Sequence, residues 1–197
     1  MFEMGSAMNI EQYFEDASKT FLKMKDQSGL VGDIANVFIN SLRNEGTIFW
    51  CGNGGSASDA QHLAAELIGR FRLNRAPLRS IALNTDTSIM TATANDFGYE
   101  NVFARQIAAL GREGDVLIGI STSGKSPSII KALEVAKQKK LMTILFTGPF
   151  ETPLTLNCDL YLRVPNDHTS HIQEAHIATG QLICGIVEKY FFEKNTD

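Results

Sequence analysis

Residues 47–70 constrain the fold more than any other part of the chain. Residues 47–51 form a short run of β-branched and aromatic side chains, which is typical of a buried strand. Residues 52–56 read Gly-Asn-Gly-Gly-Ser, and the segment that follows is rich in helix formers and contains no proline. A strand, a glycine-rich turn and a helix start form a corner that binds anions. Glycine lets the backbone approach the ligand, and the first helical N–H groups point at it.

Two side chains capable of acid–base or metal chemistry follow one turn into this predicted helix. His62 and Glu66 are four residues apart, so they share one helix face. Alone, His62 is more often an ordinary helix histidine than a ligand. Beside Glu66 and a glycine-rich turn, it belongs to a candidate catalytic or metal-binding pair.

The rest of the chain alternates between strand and helix patterns. Further strands are predicted at 80–83, 115–120, 142–146 and 160–164, and helices at 87–94, 100–110, 126–139 and 168–191. Amphipathic helices at 9–25 and 30–42 precede the first strand, and we expect them both to cover the sheet and to contact another subunit. This order predicts an α/β fold, with a parallel sheet of about five strands flanked by helices.

Length and composition limit the classes of function. A chain of 197 residues fits a single domain over 1–197, and a net charge of −4 argues against broad binding of nucleic acid or anionic membranes. We expect neither a signal peptide nor a membrane-spanning segment. Cys51, Cys158 and Cys184 lack CxxC spacing, so we expect a cytoplasmic protein without a disulfide framework or a cysteine zinc site.

A second loop with phosphate-binding chemistry follows the strand predicted at 115–120. Residues 120–126 read Ile-Ser-Thr-Ser-Gly-Lys-Ser, and residues 119–126 match the nucleotide-binding pattern G-x-x-x-x-G-K-S. A nucleotide site explains neither the first glycine-rich loop nor the His62–Glu66 pair. Two serine- and glycine-containing loops at the carboxyl ends of parallel strands instead predict one sugar-phosphate pocket at a topological switch point.

Four motifs in this order resemble the bacterial phosphoheptose isomerases of the sugar-isomerase (SIS) family. They are Cys-Gly-Asn-Gly-Gly-Ser at 51–56, Ala-Asn-Asp-Phe-Gly-Tyr at 94–99, Ile-Ser-Thr-Ser-Gly at 120–124 and Ile-Gln-Glu at 172–174. The resemblance implies a flavodoxin-like α/β sandwich and a zinc-containing homotetramer with sites at subunit interfaces. It also implies isomerisation of sedoheptulose 7-phosphate to D-glycero-D-manno-heptose 7-phosphate, the first step of ADP-heptose synthesis for lipopolysaccharide or capsule.

The resemblance assigns roles to individual residues of this chain. The implied substrate-binding residues are Asn53, Gly54, Gly55, Ser56, Glu66, Asn95, Asp96, Ser121, Thr122, Ser123, Ser126 and Gln173. The implied metal ligands are His62, Glu66, Gln173 and Gln181, and the implied catalytic residues are Glu66, as the base, and Gln181. The chain departs from the family at Gln181, where relatives carry a histidine, and at His171, where they often carry an arginine. The first departure puts zinc occupancy in question.

Two functions without catalysis remain as alternatives. Some SIS relatives have lost the catalytic glutamate and act as replication-initiation adaptors that bind DnaA, and a sugar-phosphate sensor without turnover is also consistent with the motifs. Retention of His62 and Glu66 favours the enzyme, whereas Gln181 keeps the alternatives open. Without the resemblance, Asn95 and Asp96 would be interpreted as turn residues before Gly98.

Overall fold

The computed structural model describes residues 9–152, 155 and 158–193. Its strands are β1 (Ile48–Gly52), β2 (Ser80–Ala82), β3 (Val116–Ser121), β4 (Met142–Thr147) and β5 (Leu160–Arg163). They form one parallel sheet in the order β2-β1-β3-β4-β5. The predicted five-stranded parallel α/β fold is therefore confirmed.

Helices connect these strands and cover both faces of the sheet. They are α1 (Ile10–Met24), α2 (Ser28–Arg43), α3 (Gly55–Ile68), α4 (Thr87–Phe97), α5 (Ala104–Leu110), α6 (Pro127–Gln138) and α7 (Thr169–Phe192). Two predicted boundaries are wrong. Helix α4 continues to Phe97, because Gly98 with a φ of 86° is the first residue that turns the chain out of the helix. The helix predicted at 100–110 is split into a single 3₁₀ turn, Tyr99–Asn101, and α5.

Alternating side chains of the central strands enter two separate hydrophobic cores. Phe49, Leu117 and Leu145 pack on one face of the sheet with residues of α5 and α6. Trp50, Ile118 and Ile144 pack on the other face with residues of α2, α3 and α7. The strands read as continuous apolar runs because both faces of a parallel sheet are covered.

The two N-terminal helices differ in how much apolar surface they bury. Phe38 of α2 is fully buried and packs edge-to-face on Trp50, with ring centroids 5.5 Å apart. Helix α1 is anchored by the Tyr13 hydroxyl, which donates a 2.6 Å hydrogen bond to the Glu174 carboxylate of α7. The outer face of α1 leaves apolar side chains exposed at Ile10, Phe14, Phe21 and Leu22. Helix α2 thus covers the sheet, whereas α1 presents an uncovered apolar face.

The strand order creates a switch point between β1 and β3. The chain leaves β1 to form β2 on one side and later returns to form β3 on the other side. Gly52 at the end of β1 pairs with Ile120 near the end of β3. The loops that follow these two strands therefore start side by side, as ligand-binding loops do in open α/β sheets.

Candidate functional site

The first loop leads directly into the N-terminus of α3. Gly54 has a φ of 57°, and the N–H of Ser56 donates to the Asn53 carbonyl at 3.0 Å, which closes a tight turn. A Cβ atom on Gly55 would lie 2.6 Å from the amide nitrogen of Gln173. Glycine at position 55 thus lets α7 approach the start of α3. The N–H groups of Ser56 and Ala57 already donate to the carbonyls of Asn53 and Gly54 at 3.0 Å, so an anion here would use the N–H groups of Gly54 and Gly55.

The second loop brings two hydroxyl groups together between β3 and α6. The Oγ atoms of Ser121 and Ser126 are 3.1 Å apart, and Gly124, with a φ of 60°, donates its N–H to the Ser121 carbonyl at 3.0 Å. Ser126 is the N-cap of α6, yet its side chain does not bond the helix backbone. Its hydroxyl therefore faces Ser121 instead of being used to cap the helix.

The nucleotide-binding pattern does not have a phosphate-loop conformation. Its first glycine, Gly119, lies inside β3 and not in the loop. A Cβ atom there would lie 2.6 Å from the side chain of Ile129, so this glycine serves packing between β3 and α6. Lys125 is exposed. The loop that follows β3 is therefore a short serine loop.

Asn53 connects the first loop to the start of α6 and to the 3₁₀ turn after α4 through side-chain hydrogen bonds. Its Nδ2 donates to the Ser128 hydroxyl at 3.0 Å, and its Oδ1 accepts from the Tyr99 hydroxyl at 2.8 Å. Neither Ser128 nor Tyr99 is among the site residues predicted from the sequence, although Tyr99 belongs to the Ala-Asn-Asp-Phe-Gly-Tyr motif. Asn95 and Asp96 are exposed on α4, where the Asn95 amide donates to the Asp96 carboxylate at 2.7 Å.

His62, Glu66 and Gln181 form a polar cluster between α3 and α7. The Nε2 atom of His62 lies 2.9 Å from Oε1 of Glu66 and 3.1 Å from the Gln181 amide nitrogen. The Glu66 side chain is 17% exposed and that of His62 is 51% exposed. The structure thus brings together three of the four residues expected to bind metal.

Whether the atoms of this cluster fit a shared cation depends on the orientation of the Gln181 amide. One imidazole nitrogen cannot donate to a carboxylate and accept from an amide at the same time. If the Gln181 amide turns its oxygen toward His62, the cluster offers one nitrogen and two oxygen acceptors, with the carboxylate 2.9 Å and the amide 3.1 Å from His62 Nε2. The described residues contain no group of three His, Cys, Asp or Glu side chains placed to hold a metal, so a metal at this cluster would require the amide of Gln181 as its third donor. Such a site would supply nitrogen and oxygen ligands, a combination that suits zinc.

Gln173 lies away from this cluster within one chain. Its side chain contacts Gly55 at the beginning of α3, whereas Gln181 contacts His62 two turns further along that helix. Eight residues separate Gln173 from Gln181, which is about 12 Å of helix axis. Gln173 is therefore positioned beside the glycine loop, and the cluster of this chain contains His62, Glu66 and Gln181.

Two other titratable groups lie on the helices that carry the cluster, Asp59 on α3 and His176 on α7. Asp59 precedes His62 by one turn; burial raises the pKa of its carboxyl to about 6, and the nearby His62 opposes this. Among the described residues, Asp59 Oδ2 has no hydrogen-bond partner. His176 is fully buried, and its Nε2 lies 3.1 Å from the Thr147 carbonyl, so it donates to β4 and does not face the cluster. Burial lowers the pKa of His176 to about 4.

Comparisons with known proteins agree with this architecture. The sequence model of the SIS domain matches residues 12–148. A phosphoheptose isomerase of Rhodospirillum rubrum is 46% identical over 179 residues, covering 91% of this chain and 95% of that protein. One from Helicobacter pylori is 51% identical over 160 residues, covering 81% and 83%. The structure of a phosphoheptose isomerase from Francisella tularensis superposes with a TM-score of 0.90 at 35% identity, over 94% of this chain and 100% of that one. The chain therefore belongs to the SIS domain family, among the phosphoheptose isomerases.

Proposed function

We propose that this protein isomerises sedoheptulose 7-phosphate to D-glycero-D-manno-heptose 7-phosphate, the first step of ADP-heptose synthesis. The observation that carries the proposal is the 2.9 Å contact of Glu66 with His62 on the helix that starts at the glycine loop. A carboxylate held in this way can act as a base, and the loops supply groups that bind phosphate. The relatives named phosphoheptose isomerase support the choice of substrate.

The loops after β1 and β3 are proposed to bind the polar end of the substrate. The hydroxyls of Ser121 and Ser126 and the N-terminus of α6 offer hydrogen-bond donors for phosphate oxygens. Thr122 and Ser123 extend this loop, and Gly54 and Gly55 present backbone N–H groups from the other side. Ser56 follows them, with its own N–H bonded to the Asn53 carbonyl. Asn53 is held by Ser128 and Tyr99, so its orientation is fixed before substrate binds.

The chemistry requires one proton to move between neighbouring carbons. We propose that Glu66 removes a proton from C1 of the ketose, giving an enediol, and returns it to C2. The hydroxyl proton of O1 is transferred to O2 in the same sequence, so the aldose has the same atoms as the ketose. The amide of Gln181 can donate a hydrogen bond to oxygen as negative charge develops, but it has no pKa near neutrality and cannot carry the proton.

Zinc is proposed as the cofactor of this site. His62, Glu66 and Gln181 would hold it, because the Glu66 carboxylate and the Gln181 amide both lie within 3.1 Å of His62 Nε2. When bound, zinc supplies Lewis-acid stabilisation of the enediolate oxygen. Gln173, one of the expected ligands, contacts the glycine loop of its own chain and is proposed here as a substrate-binding residue.

We propose that the protein is a homotetramer whose sites are completed at subunit interfaces. His62 is half-exposed, although such chemistry benefits from exclusion of water. Ile68 and Leu182, which are 50% and 55% exposed, follow Glu66 and Gln181 in the chain. Together with the exposed face of α1, they provide apolar surface suited to a second subunit.

We expect sugar phosphate as the small-molecule partner, no nucleic acid or membrane partner, and a cytoplasmic location. Among the helices that the structure describes, none has the length and apolarity needed to cross a bilayer.

A coupled assay tests this function directly. Purified protein is incubated with sedoheptulose 7-phosphate, with and without added zinc, and formation of the aldose is followed. Turnover that increases with zinc is expected. Saturable binding of the sugar phosphate without turnover in either condition would instead identify a sensor, and binding of DnaA without turnover would identify an adaptor.

A further inference from the structure

A buried ion pair lies next to the cluster, at the end of α3. Nε of Arg75 is 3.0 Å from Oε2 of Glu188, and the two side chains are only 2% and 3% exposed. Two charges removed from water are stable only when further hydrogen bonds satisfy their remaining donors and acceptors. The other contacts of this pair therefore indicate what it holds in place.

Glu188 binds the loop that follows α3. Its carboxylate accepts the backbone N–H groups of Phe71, Arg72 and Leu73 at 2.8 to 3.0 Å. Burial raises the pKa of the Glu188 carboxyl, but these three N–H groups and Arg75 together outweigh burial and hold that pKa below its ordinary value. Glu188 is thus an anion that fixes the backbone of three consecutive residues.

Arg75 binds the last turn of α3. Its guanidinium donates to the carbonyl oxygens of Glu66 at 2.8 Å and Leu67 at 2.6 Å. Carbonyls in the last turn of a helix have no partner within the helix, and a cation there is favoured by the helix dipole. Arg75 therefore caps α3 at the residue that carries the proposed catalytic base.

The pair also fixes α3 against α7. Glu188 follows Gln181 by seven residues, which is two turns of α7. On the other side of Gln181, a Cβ atom on Gly180 would overlap the side chain of Leu63, so the helices are in close contact there. Contacts on both sides of the cluster thus set the position of α3 along α7.

We propose that Arg75 and Glu188 are positioning residues, which hold Glu66 of α3 in register with Gln181 of α7. This inference rests on the proposed isomerase function for its kinetic consequence. Its structural consequence, the contact of Glu66 with His62, can be measured without turnover. The two are tested separately.

The kinetic test compares three variants with the wild type. Arg75→Lys keeps the charge but loses the planar fork, and Glu188→Gln keeps the shape but places N–H groups opposite backbone donors. Each is expected to lower kcat at least tenfold and to change KM less than threefold. Ile107→Ala, in the core on the opposite face of the sheet, is the control for lost stability and should keep its kcat. A wild-type kcat in both Arg75→Lys and Glu188→Gln would overturn the proposal. If Arg75→Lys does not fold, the kcat of Glu188→Gln alone tests it.

The second test uses NMR of ¹³C-labelled histidine rings, which needs no substrate. The chain has four histidines. The ring resonance of His62 should shift in Arg75→Lys and Glu188→Gln, while that of the remote His168 stays in place. An unchanged His62 resonance in a folded variant would contradict a positioning role. Absence of turnover in the wild type would instead refute the proposed function and leave this measurement decisive.

Discussion

The Gln181 amide nitrogen lies 3.1 Å from His62 Nε2, although the two residues are 119 positions apart in the chain. The contact exists because α3 and α7 pack closely where Gly180 faces Leu63. A larger residue at position 180 would separate the helices and the polar groups they carry. Chemistry in this site therefore depends on the packing of two helices as well as on the loops at the sheet edge.

Glu66→Gln should abolish isomerisation. An amide cannot accept a proton from carbon, so we expect a loss of kcat of at least about 100-fold, typical of a lost general base. The shape of the side chain is kept, and the melting temperature should change little. The control is Glu113→Gln, at an exposed ion pair with Lys140, which should be fully active. A Glu66→Gln enzyme with most of the wild-type rate would exclude Glu66 as the base.

Replacement of Ser121 and Ser126 by alanine should mainly raise KM. Their hydroxyls are 3.1 Å apart and are proposed to bind the phosphate, which does not react. In each single variant one hydrogen bond to a charged group is lost, so we expect KM to rise about tenfold. The value of kcat should be nearly unchanged. Ser58→Ala, at an exposed position on α3, is the control.

Nucleotide binding provides a separate check on the serine loop. Because Gly119 lies within β3 and Lys125 is exposed, ATP should neither bind tightly nor be hydrolysed. The measurement is titration calorimetry with ATP and magnesium. Low-micromolar binding that is lost in Lys125→Ala would overturn the assignment of this loop to a sugar phosphate.

Asp59→Asn should stabilise the protein at high pH but not at low pH. Burial raises the pKa of Asp59 to about 6, so between about pH 4 and 6 the folded state binds more protons than the unfolded state. The free energy of unfolding therefore falls as pH rises through this window. Because this carboxyl is only partly buried and solvent screens it, we expect the variant to gain about 1 kcal/mol at pH 8. Urea unfolding at pH 4 and pH 8 measures the difference in unfolding free energy between Asp59→Asn and the wild type. Asp167→Asn, at an exposed position, is the control. An equal change in stability at both pH values would contradict the prediction.

His176 should make the fold sensitive to acid. Burial lowers its pKa to about 4, so between about pH 6.5 and 4 the unfolded state binds more protons than the folded state. The contribution of neutral His176 to the free energy of unfolding is fully present above pH 6.5 and is lost as the pH falls toward 4. For a pKa shift of this size, the loss is about 3 kcal/mol. His176→Gln can still donate to the Thr147 carbonyl and should remove this dependence, whereas exposed His168→Gln should not. The Asp59 effect has the opposite sign, so each variant is compared with wild type at every pH.

Sequence patterns predicted the sheet because its strands are continuous apolar runs bounded by turns. They missed the end of α4, since Asn95 and Asp96 have turn-forming side chains while Gly98 alone stops the helix. The pairing of His62 with Glu66 was predictable, because helix geometry fixes residues four apart. The partners of Asn53 and the Arg75–Glu188 pair were not predictable from spacing, since they join elements far apart in the chain.

Gln181 is the position at which this chain departs from its family, and it provides the last prediction. An amide coordinates metal more weakly than imidazole and cannot exchange a proton near neutrality, so Gln181→His should raise both zinc affinity and kcat. His176→Gln should leave both unchanged, because His176 is fully buried and binds the Thr147 carbonyl instead of facing the cluster. Zinc titration by calorimetry and steady-state kinetics on the two variants measure these effects. If Gln181→His changes neither quantity and His176→Gln abolishes both, the residue on α7 that serves the site is His176.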